Sequence, residues 1–245
     1  MGLLQGEVEG WAIDLNGFGQ SPPPRDGDYS PLGHAKAAVE FIEQELQGRP
    51  VHLFGNSLGG AASLQLAARR PDLVQTLTLI SPALPDIRPN RTNVFLPVMA
   101  IPGLGESLSA RTAKMDVSAR VHTTFKTVFA DPTCIPQERV DEAIEAATAY
   151  GALPYANDAF LQSLRGLLKT YLDTGKRRPW KLAELVECET LLIYGSKDQL
   201  VNAHGALKST RHFRHAQVIV IPNSAHVSQL EHPDIVAQAW IKRFG

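Results

Sequence analysis

Residues 51–70, VHLFGNSLGGAASLQLAARR, pass from an apolar run fit for a buried strand into a helical pattern with almost no loop between them. A chain that turns this sharply strains the residue at the corner, and small residues at 55 and 59 let neighbouring backbone come close. The corner residue is Ser57. A strand feeding directly into a helix is the repeating unit of a parallel sheet covered by helices, so this stretch limits the fold class to α/β. It also holds a serine hydroxyl at the C-terminal end of a strand, near helix N–H groups that favour a developing oxyanion. The pattern Gly55-Asn56-Ser57-Leu58-Gly59 satisfies G-x-S-x-G. By composition that triplet turns up in about one chain in ten of this length, so its weight comes from the strand before it and the helix after it. The competing reading of Ser57 is a plain helix cap.

The same rhythm extends to either side. Trp11–Leu15 reads as a short strand, Ala35–Leu46 as a helix ending near Gly48, Val51–Phe54 as a strand, Ser57–Arg70 as a helix stopped by Pro71, and Thr76–Ile80 as a strand. Weak polar alternation in the 51–54 and 76–80 runs suits a mostly parallel sheet flanked by helices on both faces. From Pro82 the rhythm changes: prolines at 82, 85, 89, 97 and 102 precede helical patterns, and no strand is evident until Thr190. Val117, Val121, Phe125 and Val128 form one helical stripe; Phe160, Leu164, Leu167, Leu168 and Tyr171 form another, begun by an Asn157 cap. The α/β rhythm resumes with a strand at 191–195, a helix around Ala203–Phe213, a strand Val218–Ile221 and a last helix Pro233–Phe244. The expectation is an α/β core made of residues 1–81 and 189–245, interrupted after the third recognisable strand by a helical cap over 82–188.

Composition narrows the partners. The 245 residues suffice for one domain with an insertion, and 44% apolar with 20% charged residues is ordinary globular usage. Twenty-four basic against 25 acidic residues, without long single-sign blocks, leave no face for phosphate backbones, so nucleic acid is not an expected partner. Cys134 and Cys188 have neither metal-ligand nor redox spacing and are expected to be buried thiols. MGLLQGEVEG lacks a basic region followed by an apolar core, and VFLPVMAIPGLG from Val94 is too short and too proline-broken to span a bilayer. The expected location is therefore cytoplasmic, without stable membrane insertion; the oligomeric state is left open.

A serine hydroxyl attacks only when a base takes its proton, and that base must be oriented and charge-balanced by an acid. LLIYGSKDQLV carries Asp198 in the loop after one strand, and VIVIPNSAHVSQLEHP carries His226 in the loop after the next. Both positions fall at the C-terminal ends of strands, where open α/β sheets build their sites. The competing readings are a turn or cap aspartate for Asp198, a surface-loop histidine for His226, and Asp86 as a rival acid. His52 is expected in the core or facing a helix, and His232 at the start of the last helix. His212 and His215 share a helical end but lack a carboxylate pair to complete a metal site. The G-F-G of DLNGFGQS lacks the third glycine of a phosphate loop, so no cofactor is expected.

Together these landmarks resemble the α/β-hydrolase superfamily in its capped branch. DLNGFGQS (14–21) is similar to its D-x-x-G-x-G-x-S loop, GNSLGG to its nucleophile elbow, GSKD to its acid turn and NSAHVSQLEHP to its histidine loop, in the order Ser, Asp, His. The resemblance implies Ser57 as nucleophile, His226 as base, Asp198 as its orienting acid and the Leu58 backbone N–H as one oxyanion donor. A serine at the elbow separates the chain from dehalogenases and epoxide hydrolases, which resemble this pattern but use a carboxylate. The family also carries, ahead of the loop resembling 14–21, several strands and a His-Gly loop that supplies the second oxyanion donor. No such loop is written in this sequence. The expectation is that Met1 is a downstream start, the alternatives being that residues 3–9 or a partner fill the gap. The expected activity is hydrolysis of a carboxylic ester or related small apolar acyl substrate. Cleavage of a thioester, a lactone or a C–C bond on the same triad stays open, as do a non-catalytic binding protein of this fold and a lipase at a membrane surface. Phe95, Leu96, Met99, Phe125, Phe129 and Phe160 are expected to line an apolar pocket, with core packing as the alternative for several of them.

Overall fold

A computed structural model describes residues 2–85, 95–202 and 205–245. Among them, β1 (Val51–Asn56), β2 (Val74–Ile80), β3 (Glu189–Gly195) and β4 (Ala216–Ile221) form one all-parallel sheet in the order β1-β2-β3-β4. The helices, in chain order, are α1 (Pro31–Glu45), α2 (Ser57–Arg69), α3 (Phe95–Met99), α4 (Leu104–Ala113), α5 (Val117–Val128) and α6 (Gln137–Gly151). They continue with α7 (Ala156–Leu172), α8 (Pro179–Ala183), α9 (Gly205–His212), α10 (Ser228–Glu231) and α11 (Pro233–Phe244).

Right-handed crossovers between strands laid down in one direction put every crossover helix on the same face of the sheet. Accordingly Ala35, Ile42, Leu64, Leu66, Trp180 and Ala206 of α1, α2, α8 and α9 share one core with Leu77, Leu79, Leu192 and Tyr194. The last helix folds back over the opposite face, where Val236 and Trp240 meet Ile80, Leu191, Ile193 and Ile221. Side chains alternate between faces along a strand, so covering both faces buries nearly every residue of β2 and β3. That burial is why LLIY reads as an unbroken apolar run.

Several boundaries depart from the sequence reading. Trp11–Leu15 is irregular rather than a strand, and Trp11 and Ile13 are exposed. A strand persists only in a ladder, and the described sheet begins at β1, whose outer edge has no strand beside it among the described residues. The helical block therefore follows the second strand of the described sheet, not the third. Helix α1 starts four residues earlier than expected, at Pro31, because Ser30 Oγ accepts the Gly33 N–H at 3.2 Å and proline suits the first turn. Helix α7 begins at Ala156 without a side-chain cap, so Asn157 does not cap it. Its buried side is Ala156, Ala159, Leu161 and Leu164, and Phe160 at 44% exposure points away. Residue 203, the expected start of α9, lies outside the described residues, and the helix runs from Gly205. No described helix is long and apolar enough to cross a membrane.

The helical block from α3 to α8 packs on the sheet domain at named points. A Cβ on Gly166 of α7 would stand 2.7 Å from Ser30 Cα, so only glycine lets α7 approach the start of α1 this closely. His34 Nε2 lies 3.2 Å from Ser163 Oγ, and Tyr150 Oη donates to Gly17 O at 2.9 Å while its ring stacks on Phe18. Within the block, Met99, Leu161 and Leu164 form a small core, and Phe125 and Phe129 pack edge to face at 5.4 Å between centroids.

Candidate active site

The corner at Ser57 is as tight as its sequence demands. β1 ends at Asn56 and α2 begins at Ser57, whose φ of 51° is left-handed, a conformation that costs a non-glycine residue about 1–3 kcal/mol. Gly55 is required by close approach: a Cβ there would fall 2.5 Å from both Gly59 O and Ser63 Oγ. The expectation for Gly59 fails, since a Cβ there would meet open space; the neighbouring Gly60 is the crowded position, 2.9 Å from Pro82 Cβ. Ser57 O accepts the Ala83 N–H at 2.9 Å, which fixes the corner against the chain leaving β2. Leu58 is the second residue of α2, one of the first-turn positions whose backbone N–H has no partner within the helix.

Asp198 and His226 meet beside that corner. His226 Nδ1 lies 2.9 Å from Asp198 Oδ2, and the carboxylate side chain is 0% exposed. Its other oxygen accepts the Leu200 and Val201 N–H groups at 2.8 and 2.9 Å, so both oxygens of the buried carboxyl group have partners. The acid turn and the histidine loop are zipped together by their backbones: Lys197 N–H donates to Ser224 O at 2.8 Å and Asn223 N–H to Ser196 Oγ at 3.0 Å. Gly195 makes this possible, because a Cβ there would stand 2.0 Å from Ala225 O.

The elbow joins the histidine loop through a residue that the sequence reading passed over. Asn56 Nδ2 donates to Ile80 O and to His226 O, each at 3.0 Å. No hydrogen bond links Ser57 to the His226 ring; the two are connected through Asn56. Glu231 was also missed, although it lies within the NSAHVSQLEHP stretch. Its carboxylate binds the Ala225 N–H and the Ser224 hydroxyl. A carboxylate five residues after a loop histidine, ahead of a helix-starting proline, is the only sequence signal it offered.

The remaining candidates are placed elsewhere. Asp86 lies outside the described residues. His52 Nδ1 is 2.9 Å from Thr76 Oγ1 and its ring stands edge-on to Trp240 of α11; burial lowers its pKa. His232 immediately precedes α11 at its N-cap position without a side-chain cap bond, and His212 Nδ1 is 3.0 Å from Glu184 Oε1. Cys188 is half-buried, but Cys134 is exposed, contrary to expectation, because its short helical turn lies on the surface with the thiol 3.4 Å from Asp131 Oδ2. Phe95 and Phe160 face outward and Met99 belongs to the core of the block, so these three do not converge on one pocket. A void of about 10 Å³ bordered by Ala61, Leu64, Ala83 and Leu167, and a groove of about 280 Å³ between α1 and α2, are both separate from Ser57, Asp198 and His226.

Comparison with known proteins gives consistent relatives. The chain is 26% identical over 235 residues to the dihydrolipoyllysine-residue acetyltransferase component of the acetoin cleaving system of Pseudomonas putida, covering 94% of this chain and 54% of that protein. It is 25% identical over 228 residues to 2-hydroxymuconate semialdehyde hydrolase of Pseudomonas sp. (strain CF600), covering 90% and 71%. The chain thus spans about half the length of the first of these curated relatives. The structure of an esterase from Exiguobacterium antarcticum superposes with a TM-score of 0.71 at 18% identity, covering 94% of this chain and 79% of that one, which speaks to the fold alone. The family model described as alpha/beta hydrolase fold matches residues 3–233. By that match the chain belongs to the alpha/beta hydrolase fold family.

Proposed function

We propose that the protein is a serine hydrolase that cleaves a carboxylic ester of small, apolar acyl character, with residues 82–188 acting as a cap over the strand ends. The observation that carries this reading is the buried Asp198–His226 pair, tied by Asn56 to the left-handed corner at Ser57. In the proposed reaction Ser57 Oγ attacks the carbonyl carbon while its proton passes to His226 Nε2. Asp198 holds the ring in the tautomer that leaves Nε2 free and steadies the imidazolium. The Leu58 N–H stabilises the oxyanion. His226 then protonates the departing alkoxide, and water, deprotonated by the same nitrogen, releases the acyl group and restores Ser57.

Cleavage of a C–C bond on the same triad is a second reading, favoured by the likeness to 2-hydroxymuconate semialdehyde hydrolase. Turnover of p-nitrophenyl butyrate by the wild type and Ser57→Ala tests the ester reading. Loss of nearly all activity in the variant supports it, whereas equal turnover by both proteins removes Ser57 from the chemistry. An inert wild type with intact ligand uptake would favour a binding protein of this fold.

A further inference from the structure

A single carboxylate that the reaction does not use fastens the histidine loop to the helical block. Glu231 is the last residue of α10. Its Oε1 accepts the Ala130 N–H at 2.6 Å; its Oε2 accepts the Ala225 N–H at 2.6 Å and the Ser224 hydroxyl at 3.0 Å. Bonds to an ionised acceptor are the short, strong ones. Ala225 immediately precedes the base, and Ala130 lies two residues past the end of α5. A parallel bond joins the same two segments, because the His226 N–H donates to Val128 O at 3.0 Å. On its other side the His226 carbonyl is held by Asn56. The backbone of His226 is thus suspended between the elbow and the end of α5, and among the described residues Glu231 grips both the loop and the block with its side chain.

We propose that Glu231 is a positioning residue: it aligns His226 by tying the histidine loop to the end of α5, so that the base faces Ser57 only while that segment of the block is seated. The inference rests on the serine-hydrolase reading above and deepens it. Glu231 touches no reacting atom in this scheme. Its effect passes through the placement of His226, where a displacement of about 1 Å is enough to cost roughly 100-fold in rate.

Glu231→Gln keeps the shape but replaces one acceptor oxygen with an amino group, which must then face either the Ala130 or the Ala225 N–H. The expected result is a fall in kcat for p-nitrophenyl butyrate of about 10–100-fold with KM held within about twofold, since a positioning defect removes transition-state rather than ground-state interaction. The ring-proton resonance of His226, identified by its loss in His226→Gln, broadens, and hydrogen exchange at the Ala130 and Ala225 amides accelerates. Wild-type kcat, or wild-type exchange at Ala130, in folded Glu231→Gln overturns the proposal. If that variant does not fold, Glu231→Asp decides: its shorter side chain cannot span both partners, so kcat falls at constant KM, and a wild-type kcat overturns the proposal. The resonance and exchange readouts do not depend on turnover, so they judge the tie even if Ser57→Ala shows that the hydrolase reading is wrong.

Discussion

The ring of His226 and the carboxylate of Asp198 are joined at 2.9 Å across loops that follow adjacent strands, β3 and β4. Parallel strands in register bring their C-terminal ends level, so two loops distant in sequence meet without any long excursion. In the proposed reaction the carboxylate accepts the Nδ1–H, which leaves Nε2 as the acceptor that a nucleophile needs. Asp198→Asn, whose amide can donate, stabilises the opposite tautomer. Its expected cost in kcat is about 10⁴-fold with little change in fold. Groups that act as a unit are not additive, so Ser57→Ala combined with Asp198→Asn should be no slower than Ser57→Ala alone. Steady-state kinetics on the two single variants and the double variant check both statements.

Strain at the corner makes a separate, thermodynamic prediction. Ser57 holds a φ of 51°, where a Cβ is penalised and glycine is not. Ser57→Gly and Ser57→Ala both remove the hydroxyl, but only glycine relieves the backbone. Ser57→Gly is expected to be more stable than Ser57→Ala by about 1 kcal/mol, read from urea midpoints at unchanged m value. Equal stabilities would mean that the corner stores no strain.

Much of this site is legible in the sequence because its determinants are local. A strand, a glycine-fenced serine and a helix specify the corner at residue 57 without knowledge of the rest of the chain. Asp198 and His226 follow apolar runs whose strand character the full burial of β3 explains. What escaped the sequence depends on packing between distant segments. Asn56 acts by reaching the carbonyls of Ile80 and His226, and Glu231 by reaching Ala130, 101 residues away in the chain. Neither partner leaves a periodic signal. Trp11–Leu15 shows the opposite failure: its local pattern suits a strand, but pairing is a tertiary property and the segment joins no sheet among the described residues.

Acid sensitivity should appear where the helical block meets the sheet domain. His34 is fully buried between α1 and α7, and burial lowers its pKa, with the charge of Asp28 opposing the shift. The folded ring therefore binds a proton less readily than the unfolded one, whose value is about 6.5. Between the two values the unfolded state carries more protons, so stability rises with pH there. The contribution is complete above about pH 6.5 and is lost as the pH falls towards the folded value. Thermal melts between pH 5 and 8 should show this loss in the wild type and a flatter profile in His34→Asn. An identical profile in both would place the acid sensitivity elsewhere.

Covalent labelling tests the proposed role of Ser57 without any choice of substrate. A fluorophosphonate reports a serine hydroxyl activated by a neighbouring base. The expected result is a single phosphonyl adduct mapped by mass spectrometry to Ser57 in the wild type, absent in Ser57→Ala and strongly slowed in His226→Ala. An adduct on another residue, or labelling of Ser57 at the same rate without His226, would contradict it.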